Sequence, residues 1–94
     1  MYNGYKNYST WAAAMWLNSE ESTYKYFTKA AEEAMEAAQE AENPKNIAAV
    51  VLGDHIKEFL QEAAPDVDGL YSDLLGRALD SIDYYSIAEL FLDK

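Results

Sequence analysis

Hydrophobic side chains recur along this chain at the three- and four-residue spacing of amphipathic helices, and the alternation typical of half-buried strands is almost absent. The pattern divides into segments separated by short polar turns. It predicts an all-α domain, a compact bundle of about five helices, two of them long and antiparallel. Residues 1–94 form a single domain on this interpretation, because so short a chain has apolar side chains for one core and too few for two.

Each predicted helix begins at a residue whose side chain can cap a first turn, and Pro65 falls where a proline stops a helix. In chain order the predicted helices run from Ser9 or Thr10 to about Leu17, from Asn18 to about Glu40 or Ala41, from Asn43 and Pro44 to about Ala63, from Asp66 or Asp68 onward, and from Asp83 over a short last segment. The second and third form the long pair, because only a short turn separates them.

Two of these helices carry large apolar side chains that we expect in the core. The first helix should bury its tryptophans, Trp11 and Trp16, since few other large side chains lie on it. The predicted apolar face of the third helix consists of Ile47, Val50, Val51, Ile56, Phe59 and Leu60.

The balance of charge restricts the partners that this chain can have. It carries 17 acidic and 7 basic residues, a formal net charge of −10 on 94 residues. Such a field repels nucleic acid and anionic membranes and attracts proteins with a basic working surface. We therefore expect no direct binding of nucleic acid or membrane, and a partner with a basic, nucleic-acid-binding surface. The alternative is that the acidity serves only solubility.

The acidic residues form two rows at helical spacing, one on each long helix. The candidate partner-binding residues are Glu32, Glu33, Glu36 and Glu40 on the second helix and Asp54, Glu58 and Glu62 on the third. Like charges four residues apart cost a few tenths of a kcal/mol per pair, so stability does not favour this arrangement. Paired rows of carboxylates can take the place of DNA phosphates in a groove lined with Lys and Arg. The alternative is that each row is the solvent face of an amphipathic helix.

Candidate chemistry for catalysis is sparse. The chain has no cysteine and a single histidine, His55, whose acidic neighbours Asp54 and Glu58 lack the further ligands that a metal site needs. It also lacks a glycine-rich phosphate loop and a nucleophile elbow. We therefore expect no enzyme activity, no metal and no cofactor. Since no signal peptide or membrane-spanning run is apparent, we expect a cytoplasmic protein.

Two short boxes near the N-terminus resemble a known sequence pattern. Asn7–Trp11 matches an Asn-Tyr-x-Thr-Trp box, and a second box around Trp16 is matched with Met15 in place of its leucine. Both boxes resemble a family of small phage- and mobile-element-associated proteins of uncharacterised function, to whose closing helices Tyr71–Leu75 and Ile87–Leu90 are also similar. The resemblance implies that the boxes determine the fold, and it transfers no catalytic residue. It also implies a context of host-defence inhibition, in which some anti-CRISPR and anti-restriction proteins act as DNA mimics.

Three hypotheses follow for function. The first is a non-catalytic anti-defence inhibitor of the anti-CRISPR type, a DNA mimic that blocks the basic groove of a CRISPR effector or another defence enzyme in the host cytoplasm. The second is a regulatory module that binds a protein through an aromatic and apolar patch and is acidic only for solubility. The third is a homo-oligomer that packs through the small side chains of the second helix, which are Ala30, Ala34, Ala37, Ala38 and Ala41.

Overall fold

A computed structural model describes residues 2–93 and shows helices joined by short turns. The helices are α1 (Tyr8–Ser19), α2 (Glu21–Ala38), α3 (Pro44–Ala63), α4 (Leu70–Ser81) and α5 (Tyr84–Leu92). Over these residues the only β-type pairing is an isolated bridge between Tyr2 and Tyr5, closed by a turn in which Asn3 and Gly4 have positive φ. The predicted all-α bundle is confirmed, with α2 and α3 as its long antiparallel pair.

The core is built around α3, which packs against α5 and against α2. Gly53 of α3 allows the close approach of α5, because a Cβ atom there would lie 3.4 Å from the backbone of Tyr84 and Tyr85. The buried apolar cluster consists of Ala14, Leu17, Phe27, Ala31, Ala49, Leu52, Ile56, Ile87, Ala88 and Phe91. It therefore joins α1, α2, α3 and α5, and α4 adds no buried residue to it.

The first helix begins earlier than predicted, so the prediction of Ser9 or Thr10 as its cap is wrong. Asn7 is the N-cap, and its Oδ1 accepts a hydrogen bond from the backbone N–H of Thr10 at 2.9 Å. The hydroxyl of Thr10 is directed inward instead: it donates to Asn7 Oδ1 at 2.7 Å and accepts from the N–H of Asp83 at 2.9 Å. The amide of Asn7 donates to the carbonyl of Ser81 at 2.8 Å. These bonds fasten the start of α1 to the junction between α4 and α5.

The boundary between α1 and α2 also differs from the prediction. Asn18 lies within α1, where its amide donates to the carbonyl of Ala14 at 2.7 Å, and it is not the N-cap of the next helix. Glu20 occupies the N-cap position of α2 without a capping side-chain hydrogen bond. At the other end, α2 stops at Ala38, and Glu40 lies in the following turn.

Of the remaining predicted helix starts, the one for α4 is wrong. Gly69, with φ of 62°, precedes α4, so Asp66 and Asp68 do not cap it. The left-handed conformation at this position suits glycine, because it has no Cβ. The predicted start of α5 is confirmed: Asp83 is its N-cap and accepts from the N–H of Ser86 at 3.2 Å. The third helix begins at Pro44 as predicted.

The burial of Trp16 is wrongly predicted. Its side chain is 61% exposed, because the buried stripe of α1 consists of Thr10, Ala14 and Leu17 and leaves Trp16 on a flank. Trp11 is half-buried and packs against the rings of Tyr2 and Tyr8, with centroids 5.2 and 5.7 Å away.

The apolar face of α3 is wrongly predicted in its first half. Ile47, Val50 and Val51 are exposed to 48%, 50% and 55%. The residues that the first half of α3 buries instead are Ala48, Ala49, Leu52 and Gly53. Small side chains let neighbouring helices approach closely, and this approach turns the larger aliphatic side chains toward solvent. In the second half the prediction is confirmed, since Ile56 is buried and Phe59 and Leu60 pack against the core.

Candidate acidic partner-binding face

The seven candidate carboxylates are all exposed in the structure. Six of them lie on α2 or α3, away from the buried stripe, which includes Phe27 and Ala31 on α2 and Ala49 and Ile56 on α3, and Glu40 lies in the turn after α2. The two ion pairs found within residues 2–93 join Lys25 to Glu21 and Lys45 to Asp93, so they involve none of the seven. These carboxylates are therefore available to a partner.

The register of α2 against α3 follows from a cluster of rings. The hydroxyl of Tyr26 lies 2.8 Å from His55 Nε2, and its ring stacks against Phe59 with centroids 6.2 Å apart. Phe27 contacts the same two residues, with ring centroids 5.5 Å from His55 and 5.2 Å from Phe59. Residues 26 and 27 are thus level with residues 55 to 59 along the axis of the pair.

This register staggers the two acidic rows. Glu36 lies about 15 Å beyond Tyr26 toward the interhelical turn, given the rise of about 1.5 Å per residue. On the antiparallel α3, Ile47 lies about 12 Å beyond His55 in the same direction. Glu36 is therefore level with the first turns of α3, and Glu58 is level with Tyr26. Both rows are exposed, and their centres lie about 15 Å apart along the hairpin.

The charge is most concentrated at the end of the hairpin that carries the turn. The acidic residues there, which we name the acidic loop end, are Glu32, Glu33, Glu36, Glu40 and Glu42. No basic residue lies between Lys29 and Lys45 in the sequence. Lys45 is held by Asp93, and the hydrogen bond to that carboxylate is the main cause of the raised pKa of Lys45. Each row has a lysine within one turn on its own helix, Lys29 on α2 and Lys57 on α3, and the net field is weaker at the α3 row because it has three carboxylates against the five of the acidic loop end.

Sequence reasoning missed the apolar residues that lie beside the acidic loop end. Ile47, Val50 and Val51 share one side of α3, at the same level as Glu36, and are about half exposed. A signal for this was present in the sequence: Ala48, Ala49 and Gly53 recur at helical spacing and mark a face that packs closely.

A second exposed surface lies between α1 and α4. It is a groove of about 310 Å³, and no charged side chain lines it. Residues along it include Tyr8, Ala12, Trp16, Leu60, Ala78 and Ile82. On α4 itself, Leu70, Tyr71 and Leu74 are exposed to 67%, 69% and 55%. This surface lacks the carboxylates of the hairpin, and its lining suits apolar or aromatic groups.

The alanine side chains on which the oligomer hypothesis rests are largely used within the chain. Ala38 is buried, and Ala30 and Ala34 pack against the core. Ala37 and Ala41 remain exposed. A close approach of two copies along α2 would therefore rest on Ala37, since Ala41 lies beyond the end of the helix.

One protein-family model matches almost the whole chain. The model of a family of unknown function, DUF7249, matches residues 1–91. The chain belongs to this family. No curated protein and no solved structure matches it. The family description states neither an activity nor a partner, so the function must be argued from the residues themselves.

In this member of DUF7249, the neighbourhood of His55 is structural. Its ring is half-buried, bonded to Tyr26, and lies edge-to-face against Phe27. Within residues 2–93, no group of three or more His, Asp or Glu side chains is placed to hold a metal ion. None of the described helices has the length and apolar character needed to cross a membrane.

Proposed function

We propose that this chain is a non-catalytic inhibitor that binds the basic surface of a nucleic-acid-binding protein through the carboxylates of α2 and α3. The observation that carries the proposal is the acidic loop end, where five exposed carboxylates take part in none of the ion pairs found within residues 2–93 and Lys29 is the nearest basic residue on α2. Carboxylates form strong, charge-assisted hydrogen bonds with Arg and Lys, as phosphates do. The chain would then exclude DNA or RNA by competition.

The position of these carboxylates on α2 also supports a role outside folding. Glu32 and Glu36 are four residues apart, and like charges at this spacing destabilise a helix. Glu36 also lies in the last turn of α2, where the negative end of the helix dipole disfavours anions and where no basic residue is present. A sequence that retains this arrangement against stability is typical of a binding surface.

The class of target is proposed from the sequence resemblance. A phage-type protein of this size and charge fits an anti-defence role in the host cytoplasm, with a CRISPR effector or another DNA-binding defence enzyme as the target. The staggered rows favour a target with basic residues spread over two patches along the groove, since the row centres lie about 15 Å apart.

An affinity capture followed by displacement of DNA tests this function. The chain is immobilised and exposed to lysates of bacteria that express defence complexes, at low and at high salt. We expect a nucleic-acid-binding complex to be retained only at low salt, because screening weakens such contacts. The captured complex should lose its DNA when the chain is added.

A matched pair of triple variants makes the test specific. We expect Glu32→Gln, Glu33→Gln and Glu36→Gln together to weaken displacement at least about tenfold, since each lost charge-assisted bond is worth about 1.5–3 kcal/mol before solvent screening. The control carries the same change of charge on other exposed residues, Asp66→Asn, Asp68→Asn and Asp73→Asn. Equal loss in both variants, or capture that resists salt, contradicts the proposal.

A second candidate function is an interaction module that binds an apolar or aromatic segment in the groove between α1 and α4. The exposure of Trp16, 61% on the rim of an uncharged groove, favours it. Binding would then resist salt, change the fluorescence of Trp16, and be lost in Trp16→Ala while the Glu→Gln variant still binds.

A further inference from the structure

The first half of α3 exposes a stripe of aliphatic side chains. Ile47, Val50 and Val51 occupy positions i, i+3 and i+4, so they form a continuous strip on one side of the helix. Each is about half exposed, although β-branched aliphatic residues are among those most often buried. A row of carboxylates that only replaced phosphates would not need such a strip.

Acidic residues lie level with this strip on α2 and at its end on α3. Glu36 of α2 is level with Ile47 in the register fixed by Tyr26 and His55. On α3, Asp54 is exposed and lies one turn beyond Val50. A shallow depression of about 390 Å³ on the α2 side is lined by Glu33, Glu36, Ala37 and Gln39. The surface thus has an aliphatic strip with carboxylates at the same level on α2 and at its end on α3, and we name it the loop-end patch: Glu33, Glu36, Ile47, Val50, Val51 and Asp54.

We propose that the loop-end patch binds an amphipathic helix of the partner protein whose apolar stripe is flanked by Lys or Arg. This proposal rests on the proposed function for the sign of the partner's charge, and it adds that recognition needs apolar contact. A helix fits because apolar anchors three and four residues apart are matched by the same spacing on a partner helix. Its cationic side chains would reach Glu36 on α2 and Asp54 at the end of the strip.

A second copy of this chain is a poor occupant of the patch. Each copy carries a net charge of −10, and the carboxylates of the two rims would face one another. Like charges across an interface oppose association. A basic partner instead gains attraction from the same rim.

The test uses two synthetic peptides of identical composition and charge. One is an 18-residue helix former with Leu at helical spacing and Lys or Arg on both flanks, and the other is its scramble, which has no apolar stripe. Binding to the full chain is measured by titration calorimetry and by backbone amide shifts. We expect the amphipathic peptide to bind at least about tenfold more tightly, because burying apolar groups adds to the shared electrostatic attraction. Its shifts should centre on residues 33–54.

A double variant that keeps the net charge of the chain measures how much apolar contact contributes to peptide binding. We expect Ile47→Thr with Val51→Thr to weaken binding of the amphipathic peptide about tenfold and to leave binding of the scramble unchanged. The control, Leu70→Thr with Leu74→Thr, changes two exposed residues at the same spacing on α4 and should bind as the unaltered chain does. If circular dichroism shows that a variant does not fold, the backbone amide shifts of the unaltered chain decide whether the peptide binds at the loop-end patch.

The outcomes separate this inference from the function on which it rests. Equal binding of both peptides overturns the apolar contact and leaves the acidic inhibitor intact. Binding of neither peptide at low salt overturns the inference and counts against the acidic inhibitor as well. Shifts centred on Trp16 and α4 overturn the inference in favour of the groove. Concentration-dependent self-association that is lost in the Ile47→Thr, Val51→Thr variant overturns it in favour of a second copy.

Discussion

At the scale of single residues, Thr10 joins parts of the chain that lie far apart in the sequence. It is fully buried, and its hydroxyl bonds Asn7 within α1 and the N–H of Asp83 at the start of α5. Asn7 adds a bond to Ser81 at the end of α4. These contacts give a structural reason for an Asn-Tyr-x-Thr-Trp box, since its Asn and Thr serve the fold.

We expect Thr10→Val to destabilise the protein by about 1–3 kcal/mol, because a buried N–H of Asp83 would lose its acceptor. Thr10→Ser keeps the hydroxyl and loses one methyl group, so it should cost about 1 kcal/mol or less. Urea unfolding of both variants provides the measurement. A valine variant as stable as the serine variant would show that these hydrogen bonds do not hold the junction.

At the scale of helices, the sequence was sufficient for the number, order and approximate span of the elements, because the apolar period marks them directly. The caps were harder to place, since Asn7, Ser9 and Thr10 are all capping residues and only the tertiary bond to Asp83 selects among them. The spacing of the large apolar side chains did not by itself fix the exposed side of α3. Both sides are apolar, and the small residues that pack against α2 and α5 decide which one is buried. The spacing along each helix was sufficient to identify the candidate carboxylates. The displacement of one acidic row relative to the other along the hairpin depends on ring contacts between α2 and α3, which the sequence does not show.

The attachment of α4 to the rest of the molecule leads to a prediction about its stability. It buries no residue, and its main helix partner is α1. Local opening costs least where few apolar contacts are lost. We expect backbone amides of α4 to exchange with opening free energies at least about 1 kcal/mol below those of α3 and α5. Native-state hydrogen exchange measures this, with Ile56 and Ile87 as internal references, and protection in α4 equal to theirs would contradict it.

At the scale of the whole molecule, the net charge of −10 acts on folding and on binding in opposite directions. Self-repulsion among the carboxylates destabilises the compact state, and dissolved salt screens it. Attraction to a basic partner is screened in the same way. Salt should therefore strengthen the fold and weaken the complex.

We expect the midpoint of thermal unfolding to rise by a few degrees between about 20 and 300 mM NaCl, because relief of several like-charge pairs amounts to roughly 1 kcal/mol for a domain of this size. Glu32→Gln with Glu36→Gln should raise the midpoint at low salt and reduce its response to salt, since the variant removes one such pair from α2. Calorimetry of both proteins across the salt series gives the comparison. If the unaltered protein is instead less stable in added salt, the carboxylates must be held by favourable charge interactions within the fold, and they would then not be free to bind a partner.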